Sequence, residues 1–446
     1  MTAQARDEQP ARLLWLRPFP GLRPPGTMTR RQERVFLLVG LAALFAGYDM
    51  NIYGFAIPQI QASLNIPEDQ IGPTVMWFRL AAFAAIGIAA SADLVGRRRL
   101  LLFTIIGQGL ATLATAFSQT RGEFVALQIA TRIFGYSEEM LCVVVIVEEV
   151  AMTSRGWANG MLAAMGNQGA GIAAIVFGFV NILPYHWRAL YVLGAVPLFI
   201  VGFLRRRLPE TKRFAIREEE VKRLTSRAGE ALVLARRLAL EHPARLATVI
   251  IAVAAWGFAI APAAVLGNKF LQQPLGYAPQ QTTMLLIPGG FVALVLNIRA
   301  GRLSDRVGRK RVLIPATLLG AIAFAAFYSG VRGWLIPPLW VAAYFSLFTC
   351  DALLAGFATE LFPTAYRATV SGLRYTAGTL GGALSLKLEG QLYDHFQAHG
   401  PAISIFLAAV PITAIALAFL PEAAGKSLEE IAGEPESGVA LVPAEI

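Results

Sequence analysis

The stretch "SADLVGRRRL" at 91–100 comes back as "LSDRVGRKRV" at 303–312. Asp93 and Asp305 are 212 residues apart, and the same 212 separates Glu148 from Glu360, Arg155 from Arg367, and Pro209–Glu210 from Pro421–Glu422. Gly160 and Gly372, Gly166 and Gly378, and Gly169 and Gly381 keep that register. Matching glycines alone would carry little weight in a chain with 41 of them. Charged loop motifs that hold one ungapped register over about 120 residues mark a duplication.

What is duplicated is membrane material. Of the 446 residues, 56% are hydrophobic and only 15% charged, against about 25% charged in soluble domains. Apolar runs near the ~20 residues that a bilayer helix needs recur along the chain. They are continuous rather than alternating, which argues against a β-barrel. Twelve candidate spans follow, at about 35–57, 74–92, 100–118, 124–147, 158–182, 188–206, 246–266, 282–300, 311–330, 335–357, 369–391 and 402–420. The expected fold is an all-α polytopic membrane protein with twelve transmembrane helices, built as two six-helix halves in parallel repeat. Span 1 then answers span 7, and span 4 answers span 10. Parallel repeats of this kind are a transporter architecture, with a site near the midplane between the halves.

Basic residues set the orientation. If residues 1–34, with seven Arg and no sizeable apolar run, stay inside, the loops on that side hold Arg97, Arg98, Arg99, Arg155, Arg306, Arg309, Lys310, Arg311 and Arg367. The other side holds only Arg121, Arg188, Lys269 and Arg332. The reading is a multi-pass cell-membrane protein with both termini cytoplasmic. It has a disordered tail over 1–34, a first half over 35–206, a linker over 207–245, a second half over 246–421 and a tail over 422–446. Val221, Leu224, Ala228, Leu232 and Ala235 stand at helical spacing in the linker, which predicts amphipathic helices on the cytoplasmic face. No cleavable signal is visible, and Met28 opens "MTRRQER" just before the first apolar run as an alternative start. The net charge of +10 belongs to basic loops facing anionic lipid rather than to nucleic-acid binding. Cys142 and Cys350 read as small core residues, with no disulfide framework or metal cluster. No nucleotide loop or nucleophile–base constellation is present, so the chain does not read as an enzyme and calls for no cofactor.

Several charges lie inside the spans: Asp49 in span 1, Arg132, Glu138 and Glu139 in span 4, Asp351 in span 10 and Arg374 in span 11. Each costs roughly 2.5–3.5 kcal/mol at a helix centre, so each is a functional hypothesis. Glu139 precedes Glu148 by nine residues, about 13 Å of helix, where half a bilayer core is ~15 Å. Asp351 stands in the same relation to Glu360, and Asp49 precedes Pro58, read as the outer end of span 1, by nine residues. All three therefore fall near the midplane. The repeat distinguishes the adjacent acids, since Glu139 matches Asp351 whereas Glu138 matches Cys350. Arg132, seven residues before Glu139, shares its face and is expected to pair with it or with an anionic solute. No His lies inside a span, so any proton coupling must run on a carboxylate. Structural pairing of these acids with Arg79, Arg132 and Arg374 is the competing reading. Asn167 and Gln168 in span 5 and Trp256 in span 7 are candidate polar or aromatic groups of the same site.

"GRLSDRVGRKR" (301–311) resembles the loop motif of the major facilitator superfamily, and "ASADLVGRRR" (90–99) is similar to its less perfect partner. "PETKR" (209–213), "ELFPTAYRATVSG" (360–372) and "PEAAGKSLEEI" (421–431) resemble the branch of sugar porters, organic-ion transporters and proton-linked metabolite symporters. "GYDMNIYGFAIPQI" (47–60) resembles the first helix of the aromatic-acid proton symporters. The resemblance implies that spans 1, 4, 7 and 10 line a central cavity, and these hold Asp49, Glu138, Glu139 and Asp351. It also implies a cytoplasmic latch that breaks when that side opens. The latch would be built from Asp93, Gly96, Arg97, Glu148 and Arg155 in the first half and from Asp305, Gly308, Arg309, Glu360 and Arg367 in the second. Asp93 and Asp305 would cap a neighbouring helix N-terminus and pair with nearby Arg, and Gly96 and Gly308 would permit the tight turn. Static loop pairs worth little each are the alternative.

The chain departs from the family's patterns at three places, of which the last two narrow the substrate class. Gly135 stands three residues after Arg132 where the family has it four after. Span 5, "GNQGAGIAAIVFG" (166–178), lacks the Gly-Pro pattern of drug antiporters. Span 7, "AVAAWGFAIAPAAVLG" (252–267), lacks the paired glutamines of sugar porters. The implied function is secondary active transport of a small organic solute, foremost an organic or aromatic carboxylate, by proton symport with alternating access. The proton gradient supplies the coupling ion. A facilitator or proton-coupled exporter of sugar, drug or organic cation, and a transport-silent solute sensor, stay open. The expected partners are the solute and the lipid bilayer, with no nucleic acid, and a monomer is the default.

Overall fold

A computed structural model describes residues 23–150, 154–206, 227–363 and 366–422, with residues 9, 13 and 15, and the side chains of all of these but 93, 94, 147, 155, 156, 227–232 and 368. The described residues form helices and no strand. In chain order these are α1 (Arg30–Leu64), α2 (Ile71–Ala90), α3 (Ala92–Val95), α4 (Arg97–Thr115), α5 (Arg121–Glu149), α6 (Arg155–Phe177), α7 (Trp187–Arg205) and α8 (Arg227–Glu241). They continue as α9 (Pro243–Gln272), α10 (Pro279–Val307), α11 (Arg309–Tyr328), α12 (Ile336–Glu360), α13 (Arg367–Phe396), α14 (His399–Leu407) and α15 (Val410–Phe419). Nine stretches among the described residues are long and apolar enough to cross a membrane. The other three predicted spans fall on α4, α5 and α13, whose apolarity is diluted by the polar side chains considered below. The predicted linker contains α8. Its residues 207–226, like the tail beyond Glu422, lie outside the described residues.

Local chemistry sets the helix ends. Thr29 and Gln32 exchange side-chain bonds with each other's backbone N–H in a capping box, and Thr120 and Glu123 do the same at α5. Each box satisfies two of the four orphan donors of a helix start. α1 therefore begins inside the stretch read as a tail, and Trp15 of that stretch stacks on Phe36 at 5.7 Å. The other end corrects the reading of Pro58 as the close of span 1: α1 runs on to Leu64, with a kink at Ala56 (φ −99°, ψ 16°). Proline lacks an N–H and clashes with the carbonyl four residues back, here that of Gly54. Side chains from the last turn of α9 serve the kink: Asn268 Nδ2 donates to Gly54 O at 3.4 Å, and Gln272 Nε2 to Phe55 O at 2.9 Å. Beside them Lys269 Nζ is 2.9 Å from Glu68 and donates to Gln61 at 2.7 Å.

The chain divides into two compact units, residues 1–225 with 268–287 and residues 226–267 with 288–446. In the first unit α1 packs on α5, α6 and α7, with α4 between α5 and α7. Glycines let α1 and α6 touch backbone to backbone, as is common between membrane helices. A Cβ on Gly169 would stand 1.9 Å from Leu44 O, and one on Gly47 2.0 Å from Gly166 O. In the second unit α11 packs on α12, α14 and α15. There the repeat-related glycines do the same work between α13 and α9: a Cβ on Gly381 would lie 2.3 Å from Ala254 O, and one on Gly257 2.4 Å from Gly378 O. Gly96 and Gly308 take the positive φ values +98° and +114° at matching joints, α3 to α4 and α10 to α11.

Candidate functional site

In the first unit the site is built around Asp49, at the middle of α1 and only 1% exposed. Two side chains of α4, one helical turn apart, hold its carboxylate. Gln108 Nε2 donates to Oδ2 at 3.1 Å and Thr112 Oγ1 to Oδ1 at 3.0 Å. Among the described residues no salt bridge reaches Asp49; Arg132 acts on it electrostatically without touching it. Arg132 Nη1 donates instead to the Met50 carbonyl at 2.8 Å, and its guanidinium lies 5.5 Å over the Phe78 ring. Gly135 makes room for this, since a Cβ there would meet Met50 Cε at 2.2 Å. Tyr53, Phe78, Phe124, Trp187 and Tyr191 close one side with ring contacts of 5.1–6.4 Å. A carboxyl group held by neutral donors in an apolar wall can carry a proton or a charge without dismantling an ion pair.

The adjacent acids of α5 separate as helix geometry requires, about 100° apart. Glu138 is 0% exposed and saturated. It pairs with Arg205 from the last turn of α7, accepts from Thr104 of α4, and lies 3.3 Å from Cys142 Sγ. Arg205 also donates Nε to the Leu38 carbonyl at 3.3 Å. Glu139 is exposed and has no hydrogen bond or ion pair among the described residues. The expected Arg132–Glu139 pair is not made. Seven residues of helix are about 10 Å of rise, and Arg132 turns to α1. Asn167 and Gln168 of α6 are exposed.

In the second unit Trp256 Nε1 donates to Asp351 Oδ1 at 2.8 Å, and Asp351 and Arg374 interact electrostatically. Trp256 on α9, Asp351 on α12 and Arg374 on α13 are thus brought together. Two residues before Asp351, Thr349 donates to Asn297 of α10.

The loop charges form the same pair twice. Arg97 meets Glu148 at 3.0 Å in the first unit, and Arg309 meets Glu360 at 3.0 Å in the second. Arg309 also pairs with Asp305, one turn earlier in the chain. The N-terminal cap of α11, expected of Asp305, comes instead from Glu422, which accepts from the N–H groups of Arg309 at 2.9 Å and Lys310 at 3.2 Å. Asp305 sits on the last turn of α10 beside the Arg309 side chain, whereas the chain leaving α15 brings Glu422 to those N–H groups. Arg367 Nε donates to Phe362 O at 3.4 Å, and Glu149 pairs with Arg31 at 3.2 Å. The side chains of Asp93 and Arg155 lie outside the described residues. Nearby, Tyr366 donates to Glu241 at the end of α8, and this hydrogen bond holds the phenol above its ordinary value.

Sequence reasoning missed Thr104, Gln108, Thr112 and Arg205. A signal for the first three was present: polar residues every fourth position in an otherwise apolar span. Arg205 stands in the last turn of its helix, where a basic residue carries no such signal.

The family model described as Major Facilitator Superfamily matches residues 39–386 and, in a second match, residues 271–441. The chain is 24% identical to the "Probable 4-methylmuconolactone transporter" of Cupriavidus pinatubonensis, over 93% of this chain and 96% of that protein. It is 23% identical to the "Gallate transporter" of Pseudomonas putida, over 87% of this chain and 91% of that protein. Among solved structures, the inward open conformation of the xylose transporter XylE from E. coli is similar with a TM-score of 0.69 at 18% identity, covering 90% of this chain and 99% of that one, a likeness of fold. With the duplicated loop pairs, the glycine crossings and a model match along most of its length, the chain belongs to the Major Facilitator Superfamily, a family of transporters.

Proposed function

We propose that the protein is a proton-coupled symporter for a small organic acid, with aromatic acids and their ring-cleavage products as the substrate class. The observation that carries this reading is Asp49, a mid-helix carboxyl group enclosed by neutral donors with Arg132 at electrostatic range. Such a group can alternate between protonated and charged forms while the cation attends an anionic solute. Further candidate contacts are Glu139, Asn167 and Gln168 in the first unit and Asp351, Trp256 and Arg374 in the second. Relatives described as moving 4-methylmuconolactone and gallate support the substrate class.

In this reading the chain crosses the membrane twelve times as two six-helix repeats, 35–206 and 246–421, joined by the linker 207–245. Both termini are cytoplasmic, the protein works as a monomer by alternating access, and the proton is its coupling ion. The duplicated Arg97–Glu148 and Arg309–Glu360 pairs serve as the cytoplasmic latch. The test is a thermal-shift panel on the purified protein: benzoates and muconates against sugars and organic cations. Stabilisation confined to the acids supports the reading, and stabilisation by sugars or cations alone overturns it.

A further inference from the structure

Asp49 is sealed from solvent, and both its oxygens rest on α4, so the route by which a proton reaches it has to be found inside the first unit. α4 offers one. Thr104, Gln108, Thr112 and Thr115 follow every three or four residues, on one helix face, and all four are fully buried. α5 faces them along its own line. Gln128 Nε2 donates to Thr115 Oγ1 at 3.3 Å, a Cβ on Gly135 would lie 3.2 Å from Gln108 Nε2, and Glu138 accepts from Thr104. Thr131 stands on that line between Gln128 and Gly135. Past Thr115 the polar column goes on: buried Ser118 donates to Thr115 O at 2.8 Å, and its own carbonyl accepts from Arg188 Nη2 at 2.9 Å. Arg188 Nη1 then donates to exposed Ser63 at 2.9 Å. The column therefore joins Asp49 to the surface at the helix ends remote from Gly96. At its other end it meets the Glu138–Arg205 ion pair.

Four polar atoms beside this column are buried without a hydrogen-bond partner among the described residues: Gln108 Oε1, Gln128 Oε1, Thr131 Oγ1 and the Tyr191 hydroxyl. Buried polar groups are satisfied by protein or by ordered water. Acceptors and hydroxyls in this number, contributed by α4, α5 and α7 around one line, describe the lining of a water file rather than a packed core. Thr112 to Thr115 is about 4.5 Å of helical rise, and the turn that follows α4 carries the polar line on to Ser118.

We propose that the column Thr112–Thr115–Gln128–Thr131 is a hydrated proton path that connects Asp49 with solvent at Ser118 and Arg188, entirely within the first unit. The proposal rests on the reading of Asp49 as the proton-carrying group. On loading, the water beside Thr112 gives a proton to Asp49 Oδ1; an O–H bond forms there as one breaks on that water. The water is restored by a proton from its neighbour, and the outermost water takes one from solvent. One proton enters, and Asp49 becomes neutral. The Thr112 and Thr115 hydroxyls donate to Asp49 Oδ1 at 3.0 Å and to Ala111 O at 2.8 Å and accept from the waters, while Gln128 Oε1 orients water without exchanging protons. The charged and titratable groups facing Asp49 are Arg132 of α5, Tyr191 of α7 and Tyr48 of its own helix.

The test needs no transported solute. Full-length protein in lipid nanodiscs receives a proton pulse photoreleased from o-nitrobenzaldehyde, and the protonated-carboxyl infrared band that Asp49→Asn removes is followed in time. Thr115→Val and Gln128→Leu should each slow the rise of that band at least tenfold while leaving its equilibrium midpoint in place, and Thr115→Ser should restore the rate. A merely structural role would shift the midpoint or leave Thr115→Ser as slow as Thr115→Val, and either result overturns the proposal. An Asp49 band that rises at the wild-type rate in both variants overturns the path alone. Absence of any Asp49 band in the wild type overturns the proton-carrying reading and the path with it.

Discussion

Replacing Arg205 by leucine should destabilise the protein far more than replacing it together with Glu138. Both side chains are fully buried, and the Glu138 carboxylate has three neighbours: Arg205, Thr104 and Cys142. Arg205→Leu leaves the carboxylate with a hydroxyl and a weak thiol donor, and strips Leu38 O of its guanidinium contact. Removing one member of a buried pair costs about 3–5 kcal/mol in soluble proteins. Single hydrogen bonds inside membrane proteins average nearer ~0.6 kcal/mol. One lost ionic bond plus one lost carbonyl contact puts the expected cost at about 2–3 kcal/mol, between these limits. Arg205→Leu with Glu138→Leu removes charge and counter-charge together, an exchange that is often neutral or stabilising, so most of the loss should return. The assay is a double-mutant cycle on reversible unfolding in mixed micelles. Additive costs, or a single-variant loss under about 0.5 kcal/mol, within the usual range of a surface change, would refute the account of Glu138 as a structural partner.

Gly169→Ala and Gly381→Ala should each cost about 1–3 kcal/mol through overpacking, because the new methyl meets backbone oxygen at 1.9 and 2.3 Å. Gly160→Ala meets nothing within 4 Å and should be neutral or stabilising; thermal unfolding of the three variants reads the difference. Glu360→Gln breaks a partly exposed pair worth at most about 1 kcal/mol and should leave melting nearly unchanged, whereas Glu148→Gln unpairs the buried Arg97 and should lower the melting temperature measurably. Both should lower transport several-fold at matched expression, and wild-type uptake in both would remove the latch from the account.

The halves of this fold were legible because duplication left charged loops in one register. Arg97–Glu148 and Arg309–Glu360 are ion pairs in both units, and Gly166, Gly169, Gly378 and Gly381 occupy matching helix crossings. The mid-helix acids were legible too, because a carboxylate in an apolar run stands out. Their partners were not. Glu138 depends on Arg205, 67 residues away, and the carbonyls freed by the Pro58 kink depend on Asn268 and Gln272, more than 200 residues away. No periodicity encodes such distances. Pro58 looked like an end because proline ordinarily ends a helix, and here distant side chains take the carbonyls it leaves. Asp305 looked like a cap because it precedes a helix, but Glu422 arrives there from the other end of the unit.

Proton coupling at Asp49 is the central claim, and flux in proteoliposomes with an imposed inward pH gradient tests it most directly. Labelled benzoates and muconates should accumulate against their gradient with protein-dependent proton entry. A protonophore should abolish accumulation, and Asp49→Asn should lose accumulation while retaining solute exchange at equal pH. Accumulation by Asp49→Asn at the wild-type level, or wild-type uptake indifferent to the gradient, would contradict the account.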